Sequence, residues 1–207
     1  MNKKLVTTVF FTLTLTITLL FLGIIGARAG IDVPDTPDSL AIQEVINHSY
    51  TVFRGALRNG GDVSEFQYVF TNTQDYSYVN DDVRAFVSRV LGTEKAHAGG
   101  YLTVMQAKYI AYGCAIRLFK EADKLARKED REVTPGEIKS IQENCFGVMP
   151  PSLSEGPPPK LEFKNIDIDG DRATARYDDG AALLEATLVR ENGRWLIANI
   201  KPIEIHF

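Results

Sequence analysis

The sequence is poor in the side chains that most often perform catalysis or bind metal ions. It holds three histidines and two cysteines among 207 residues, and His48, His97 and His206 stand far apart in the chain. The cysteines, Cys114 and Cys145, have no histidine nearby, so their spacing is not that of a zinc site. No nucleophile-elbow, phosphate-loop or zinc-protease motif occurs. The sequence therefore predicts no resident metal or cofactor and favours a non-catalytic function.

Basic residues are fewer than acidic ones, which bears on the kind of partner. The chain has 23 Lys and Arg against 27 Asp and Glu, a net charge of −4. A surface of this sign repels phosphate backbones, and no basic stripe interleaved with aromatic residues offsets it. Nucleic acid is therefore not an expected partner.

Charged residues are absent from one long stretch near the N-terminus. Lys3 and Lys4 precede an apolar run over residues 5–26, and Ala27 and Ala29 place small residues at the two positions that a signal peptidase reads. The run is also long enough to span a bilayer, which takes about 20 helical residues. Residues 1–29 are predicted to be a cleaved signal peptide or, if uncleaved, a membrane anchor through residues 5–26.

Both alternatives place residues 30–207 outside the cytoplasm, because the two lysines hold the N-terminus inside. The predicted product is a single domain, secreted or anchored to the membrane, with a net charge of −7 once residues 1–29 are left out. In an oxidising compartment Cys114 and Cys145 can form a disulfide. Such a bond would close a loop of about 30 residues and stabilise the fold by roughly 3–4 kcal/mol. The alternative is two separate buried thiols.

Residues 36–147 have the periodicity of amphipathic helices. Helices are predicted after an N-cap at Thr36, after a second N-cap at Asn80, and over a long stretch from about Tyr101 to Arg131. A capping box at Thr134 starts a further short helix. Between the first two helices, the aromatic segment 66–70 is predicted to be a short strand or an extended segment.

The C-terminal part of the chain changes from helical to strand periodicity. The Pro-rich segment 150–160 is predicted to be a stiff connector. Alternating apolar residues over 161–207, separated by turn signals at Asp169-Gly170, Asp179-Gly180 and Asn192-Gly193, predict a four-stranded antiparallel meander with a bulge near Asn165. The predicted fold class is α+β, with N-terminal helices packed on the C-terminal meander.

Two stretches of the meander, Ile166-Asp-Ile-Asp-Gly-Asp-Arg-Ala-Thr-Ala175 and Leu188-Val-Arg-Glu-Asn-Gly-Arg-Trp-Leu-Ile197, resemble the end of nuclear transport factor two-like domains. The resemblance covers about residues 160–201. It implies a cone-like sheet whose open side is covered by helices, with a ligand cavity between them. That superfamily hosts isomerases, cyclases, dehydratases and non-catalytic binding modules, so fold alone does not give the activity.

The resemblance makes the long helix the expected wall of a cavity. Tyr109, Tyr112 and Phe119 are the candidate ligand-binding residues; the alternative is that their stripe is simply core. Residues 93–147 are longer than the family usually has before its sheet and are either an insertion or an argument against the assignment. The aspartates at 167, 169 and 171 alternate around a glycine, which is typical of a tight turn and lacks the further ligands of a calcium loop.

Three functions remain as hypotheses. The leading hypothesis is an exported non-catalytic domain that binds a small apolar ligand or a protein partner at the cell envelope. The second is an exported isomerase- or cyclase-like enzyme that uses the cavity. The third is a structural domain whose segment 93–147 docks a membrane protein.

Overall fold

The computed structural model describes residues 33, 35–73, 79–149 and 157–206. The predicted export segment, residues 1–29, lies outside these residues, as does most of the predicted connector. In the described part the chain forms five α-helices followed by a four-stranded antiparallel sheet, so the α+β class is confirmed. Among these described helices, none is long and apolar enough to cross a membrane.

Three of the described helices begin after a residue whose side chain caps the first turn. The described helices are α1 (Pro37–Arg58), α2 (Asp81–Leu91), α3 (Thr93–Ala98), α4 (Tyr101–Lys128) and α5 (Pro135–Asn144). The predicted caps are present, since the side chains of Thr36, Asn80 and Thr134 each accept a hydrogen bond from a backbone N–H in the first turn. The short helix α3 was not predicted.

The prediction of a strand over residues 66–70 is wrong. Ser64–Tyr68 forms a 3₁₀-helix, whose start is fixed by a hydrogen bond from the Ser64 N–H to the Asp62 carboxylate at 3.0 Å. Phe66 and Phe70 stand four residues apart, and the turn directs both rings into the core, where they are almost fully buried. Only Phe70 keeps an extended pairing, as an isolated parallel bridge to Ile197.

The longest helix is also shorter than predicted, because α4 ends at Lys128 and not at Arg131. Asp130 adopts a left-handed conformation with φ of 53°, which stops the helix. The Arg131 guanidinium then reaches forward and donates to both carboxylate oxygens of Glu137, each at 2.9 Å. The end of α4 and the cap of α5 are thereby joined.

The sheet is the predicted meander. Its strands are β1 (Glu162–Asp169), β2 (Arg172–Asp178), β3 (Ala182–Glu191) and β4 (Arg194–Ile205), in the order β1-β2-β3-β4. The register shifts between Phe163 and Asn165, which confirms the predicted bulge. Asn192 and Gly193, between β3 and β4, both have positive φ, as the tight primed hairpin turn requires.

Helix α4 lies at the centre of the packing. Tyr101, Met105 and Tyr109 belong to the main core with α1 and the inner face of the sheet. Ala107 packs on α2 and α3 in a second cluster, and Ala115 packs on α5 in a third. The segment 93–147 therefore carries part of the main core.

A backbone contact fixes how α1 meets α4. After α1 the chain turns through residues 59–61 and crosses α4 at Gly113, where no side chain separates the two backbones. A Cβ at Gly113 would lie 2.3 Å from the Gly60 carbonyl oxygen and 2.5 Å from the Gly61 Cα. Since such distances are too short for carbon atoms in contact, this crossing requires glycine in α4.

Candidate functional site

Aromatic rings fill the space between the helices and the sheet, where the resemblance places a cavity. The Tyr109 ring stacks on Phe53 with centroids 4.8 Å apart and meets the edge of Phe66 at 5.1 Å. Phe70 stacks on the other side of Phe53 at 5.2 Å and contacts Tyr101 at 5.6 Å. These five rings, named here the aromatic cluster, come from α1, the 3₁₀ region and α4, and their packing leaves Tyr109 within the core.

The three candidate ligand-binding residues are not brought together. Tyr112 is half-buried, with its ring 5.6 Å from that of Tyr109 and 5.7 Å from the Lys108 Nζ. Phe119 lies a further two turns along α4 and packs against the cysteines and α5. Burial raises the pKa of the Tyr109 and Tyr112 hydroxyls and lowers that of the Lys108 ammonium.

The two cysteines are joined in a disulfide, as one of the two sequence alternatives predicts. Cys114 on α4 and Cys145 at the end of α5 have sulfurs 2.04 Å apart and Cα atoms 5.7 Å apart. Ala115 and Ile141 pack beside the bond in the third core cluster, with Phe119 against them. The disulfide therefore attaches α5 to the central helix.

A tyrosine pair and a carboxylate meet on the inner side of β2, a contact that was not predicted from the sequence. The Tyr50 hydroxyl of α1 donates to Asp179 Oδ2 at 2.9 Å, and Tyr177 is fully buried nearby. Burial is the main cause that raises the pKa of both tyrosines. The other oxygen of Asp179 accepts the Ala181 and Ala182 N–H groups at 3.0 and 2.9 Å. With both oxygens engaged in this way, the carboxylate holds the β2–β3 turn and ties it to α1.

A second polar contact joins the first turn of α1 to the β3–β4 hairpin. Asp38 accepts the Arg190 guanidinium at 2.6 Å and the Trp195 indole N–H at 3.1 Å. The Arg190 guanidinium also lies over the Trp195 ring, 4.5 Å from its centroid. The hydrogen bonds from Trp195 and then Arg190 lower the pKa of Asp38 and so favour its ionised form. Neither spacing nor periodicity could have paired residues so distant in sequence.

A surface groove of about 360 Å³ lies directly beside this contact, between α1 and the hairpin. We call it the α1–hairpin groove. One face of α1 supplies Asp38, Ala41, Glu44, Val45 and His48, at helical spacing; the opposite wall is formed by Tyr68, Gly193, Arg194 and Trp195. Tyr68 is 57% exposed. The groove combines an apolar floor with charges of both signs at its rim.

A second cleft, of about 600 Å³, shares Arg194 with the groove and has a polar wall. There the Thr71 and Thr73 hydroxyls both donate to Glu191 Oε1. Asn72 beside them accepts from the Gly100 and Thr103 N–H groups at 2.9 and 3.0 Å and so caps α4. These polar groups thus already bond one another across the start of α4 and the end of β3.

The remaining sequence candidates lie apart from one another. His48 lines the α1–hairpin groove, His97 is exposed on α3, and His206 contacts Asp178 Oδ2 at 3.0 Å. The aspartates at 167, 169 and 171 flank the β1–β2 turn, where Gly170 has φ of 59°. Within the residues that the structure describes, no group of three or more His, Cys, Asp or Glu side chains could hold a metal ion.

Comparison with protein-family models, with curated proteins and with solved structures finds no match to this chain.

Proposed function

We propose that this chain is an exported, non-catalytic binding domain that recognises a protein partner through the α1–hairpin groove. The single observation that carries the proposal is the composition of that groove. An exposed tyrosine, a tryptophan floor and an arginine occur together, and these three residue types are enriched among the residues that dominate protein–protein affinity.

The packing of the interior supports a surface site over an internal one. Tyr109 is enclosed by rings at 4.8 to 5.6 Å, so a ligand could enter there only by separating the aromatic cluster. Neither the α1–hairpin groove nor the second cleft is lined by Tyr109, Tyr112 or Phe119, and of the aromatic cluster only Phe70 lines the second cleft. This favours the protein-partner form of the hypothesis over the form in which a small apolar ligand fills a cavity.

The groove also indicates the chemistry of the partner. Its floor suits an apolar side chain, which would pack between Tyr68 and the α1 face that carries Val45. The Arg194 guanidinium at the rim makes no hydrogen bond or ion pair within the described part of the chain, so it is available to a carboxylate. Asp38 is already paired and positions the hairpin. The partner segment is therefore expected to present an apolar residue next to an acidic one.

Export is the second part of the proposal and rests on the N-terminal sequence. Lys3, Lys4 and the apolar run over residues 5–26 favour it. The disulfide between α4 and α5 agrees with an oxidising compartment. Under this proposal the groove meets its partner outside the cytoplasm.

Site-specific photocrosslinking tests the groove. A photoreactive side chain at position 68 is expected to capture one defined protein in the native envelope, whereas the same group at position 125 is not. Leu125 is the matched control because it is 56% exposed, close to the 57% of Tyr68, and lies on α4 away from the groove. Equal capture from both positions would count against the groove.

Affinity measurements with the captured protein complete the test. Tyr68→Ala and Arg194→Ala are each expected to raise its Kd by about thirtyfold or more, since truncating a hot-spot side chain costs about 2 kcal/mol or more. Leu125→Ala should leave the Kd unchanged. If an apolar small molecule copurifies at one equivalent and no protein is captured, the small-ligand form of the hypothesis replaces this one.

A further inference from the structure

A separate cleft, on the opposite end of α1, has a different chemistry. It lies between the end of α1 and the outer face of α4 and has a volume of about 350 Å³. Four cationic side chains line it, namely Arg58, Arg117, Lys120 and Lys124, against one carboxylate, that of Glu121. We call it the cationic cleft. Such a local excess of positive charge stands out in a chain whose net charge is −4.

The cations of the cleft are not used by the fold. Several other long basic side chains are paired: Arg127 with Asp123, Arg176 and Lys201 with Glu185, and Arg190 with Asp38. Among the described residues, by contrast, the four cleft cations make neither a hydrogen bond nor an ion pair. Their charges therefore remain available to a ligand from outside the chain.

The spacing along α4 concentrates these charges on one face. Arg117, Lys120 and Lys124 follow each other at three and four residues, so their side chains are neighbours on the helix surface. Like charges at this spacing repel and destabilise a helix slightly, and Glu121 offsets only part of the effect. A bound anion would remove the repulsion, which gives the site a physical reason to prefer multiply charged ligands.

The fourth cation comes from another element and closes the cleft. Arg58 is in the last turn of α1, and the backbone contact at Gly113 brings that turn against α4. Gly60 and the buried Ile116 also line the cleft and give it an apolar floor. The volume lies within the usual range for small-molecule sites, about 300–1,000 Å³.

From this arrangement we infer that the cationic cleft binds a small soluble phosphate monoester whose organic part is apolar. A phosphate monoester carries nearly two negative charges at neutral pH, whereas a carboxylate carries one. Four cations therefore attract the phosphate monoester more strongly. The apolar floor would cover the organic part. This inference does not depend on the α1–hairpin groove, and either can fail without the other.

Calorimetric titration of the full chain in a non-ionic detergent, at low salt, tests the inference with defined probes. Phenyl phosphate is expected to bind saturably and about tenfold or more tightly than inorganic phosphate, phenylacetate or benzyl alcohol. Inorganic phosphate lacks the apolar part, phenylacetate carries one charge and benzyl alcohol carries none. Binding should weaken as salt rises, because the contacts are charged and exposed.

Variants locate the binding. The double variant Lys120→Met and Lys124→Met keeps the length of both side chains and removes their charge, and it should weaken phenyl phosphate at least tenfold. Lys139→Met on α5 is the matched control, since Lys139 is an exposed lysine outside the cleft, and it should change the affinity less than twofold. Circular dichroism checks that each variant is folded.

Three results would overturn the inference. The first is no saturable binding of phenyl phosphate, and the second is equal affinity for phenylacetate, which would remove the preference for phosphate. The third is equal weakening by the double variant and by Lys139→Met, which would place the binding outside the cleft.

Discussion

Replacing Gly113 by alanine separates two effects that act in opposite directions. In a helix interior alanine is favoured over glycine by about 1 kcal/mol, so helix propensity alone predicts a more stable protein. The structure predicts the reverse. The new Cβ would lie 2.3 Å from the Gly60 oxygen, 2.4 Å from its carbonyl carbon and 2.5 Å from the Gly61 Cα. All three are backbone atoms, which cannot rotate away as the end of a flexible side chain can.

The size of the loss in stability follows from how far the backbone must move. Ordinary contact to a Cβ begins near 3.4 Å, so the turn after α1 and helix α4 must separate by about 1 Å. Overpacking of this kind typically costs about 1–3 kcal/mol. The upper end of that range is expected here, because the new Cβ is held by helix α4 and meets backbone atoms that cannot rotate away. After subtraction of the propensity gain, Gly113→Ala should lower the free energy of unfolding by about 2 kcal/mol. For a domain of this size that is a fall in Tm of about 4–8 °C.

Gly55 supplies the matched control. It also lies within a helix, α1, but a Cβ built there has no heavy atom within 4 Å. Gly55→Ala should therefore show the propensity gain alone and raise Tm by about 2–4 °C. Thermal unfolding followed by far-ultraviolet circular dichroism, with the disulfide kept oxidised, measures both variants. A Gly113→Ala protein as stable as Gly55→Ala would refute the close approach of the two backbones.

Three further outcomes are expected. Reducing the disulfide should lower the free energy of unfolding by roughly 3–4 kcal/mol, seen as an earlier urea midpoint; an unchanged midpoint would mean that the bond is not formed. Because the pKa of Tyr50 is raised in the fold, its contribution to the free energy of unfolding is complete below about pH 10 and is lost above it. Tyr50→Phe removes the hydrogen bond to Asp179 and should lower Tm at pH 7. Above about pH 10, the Tm of this variant should decrease less with pH than the Tm of the unmodified protein. The pKa of Asp38 is lowered, so its contribution to stability is present above about pH 4 and decreases as the solution becomes more acidic. Asp38→Asn should therefore lower Tm at pH 7, and its difference from the unmodified protein should shrink as the pH falls below about 4. A Tm difference as large at pH 2 as at pH 7 would contradict the pairing of Asp38 with Trp195 and Arg190.

Features set by neighbouring residues could be predicted from the sequence. The caps at Thr36, Asn80 and Thr134 depend only on the next three or four residues, and the turn at Asn192-Gly193 depends on the φ angles that these two residues tolerate. The disulfide was one of two open alternatives, because the sequence alone cannot show how α5 returns to α4.

Features that need distant residues could not be predicted. The error at residues 66–70 came from β-propensity, which is high for aromatic residues, whereas the spacing of Phe66 and Phe70 suits a helical turn that buries both rings. Likewise the α1–hairpin groove forms where Asp38 accepts hydrogen bonds from Arg190 and Trp195, which are distant in the sequence. Each of these residues, read alone, is compatible with an ordinary surface or core position.

The close approach at Gly113 also connects the stability of the fold with the cationic cleft. Arg58 reaches the cleft because the turn through Gly60 lies directly on α4. A separation of about 1 Å in Gly113→Ala would move Arg58 away from the three cations on α4, while Tyr68 and Arg194 at the other end of α1 keep their surroundings. The variant should therefore weaken phenyl phosphate and leave the protein partner's affinity unchanged, and Gly55→Ala should alter neither. Equal loss at both surfaces would instead mean that the variant disturbs the whole fold.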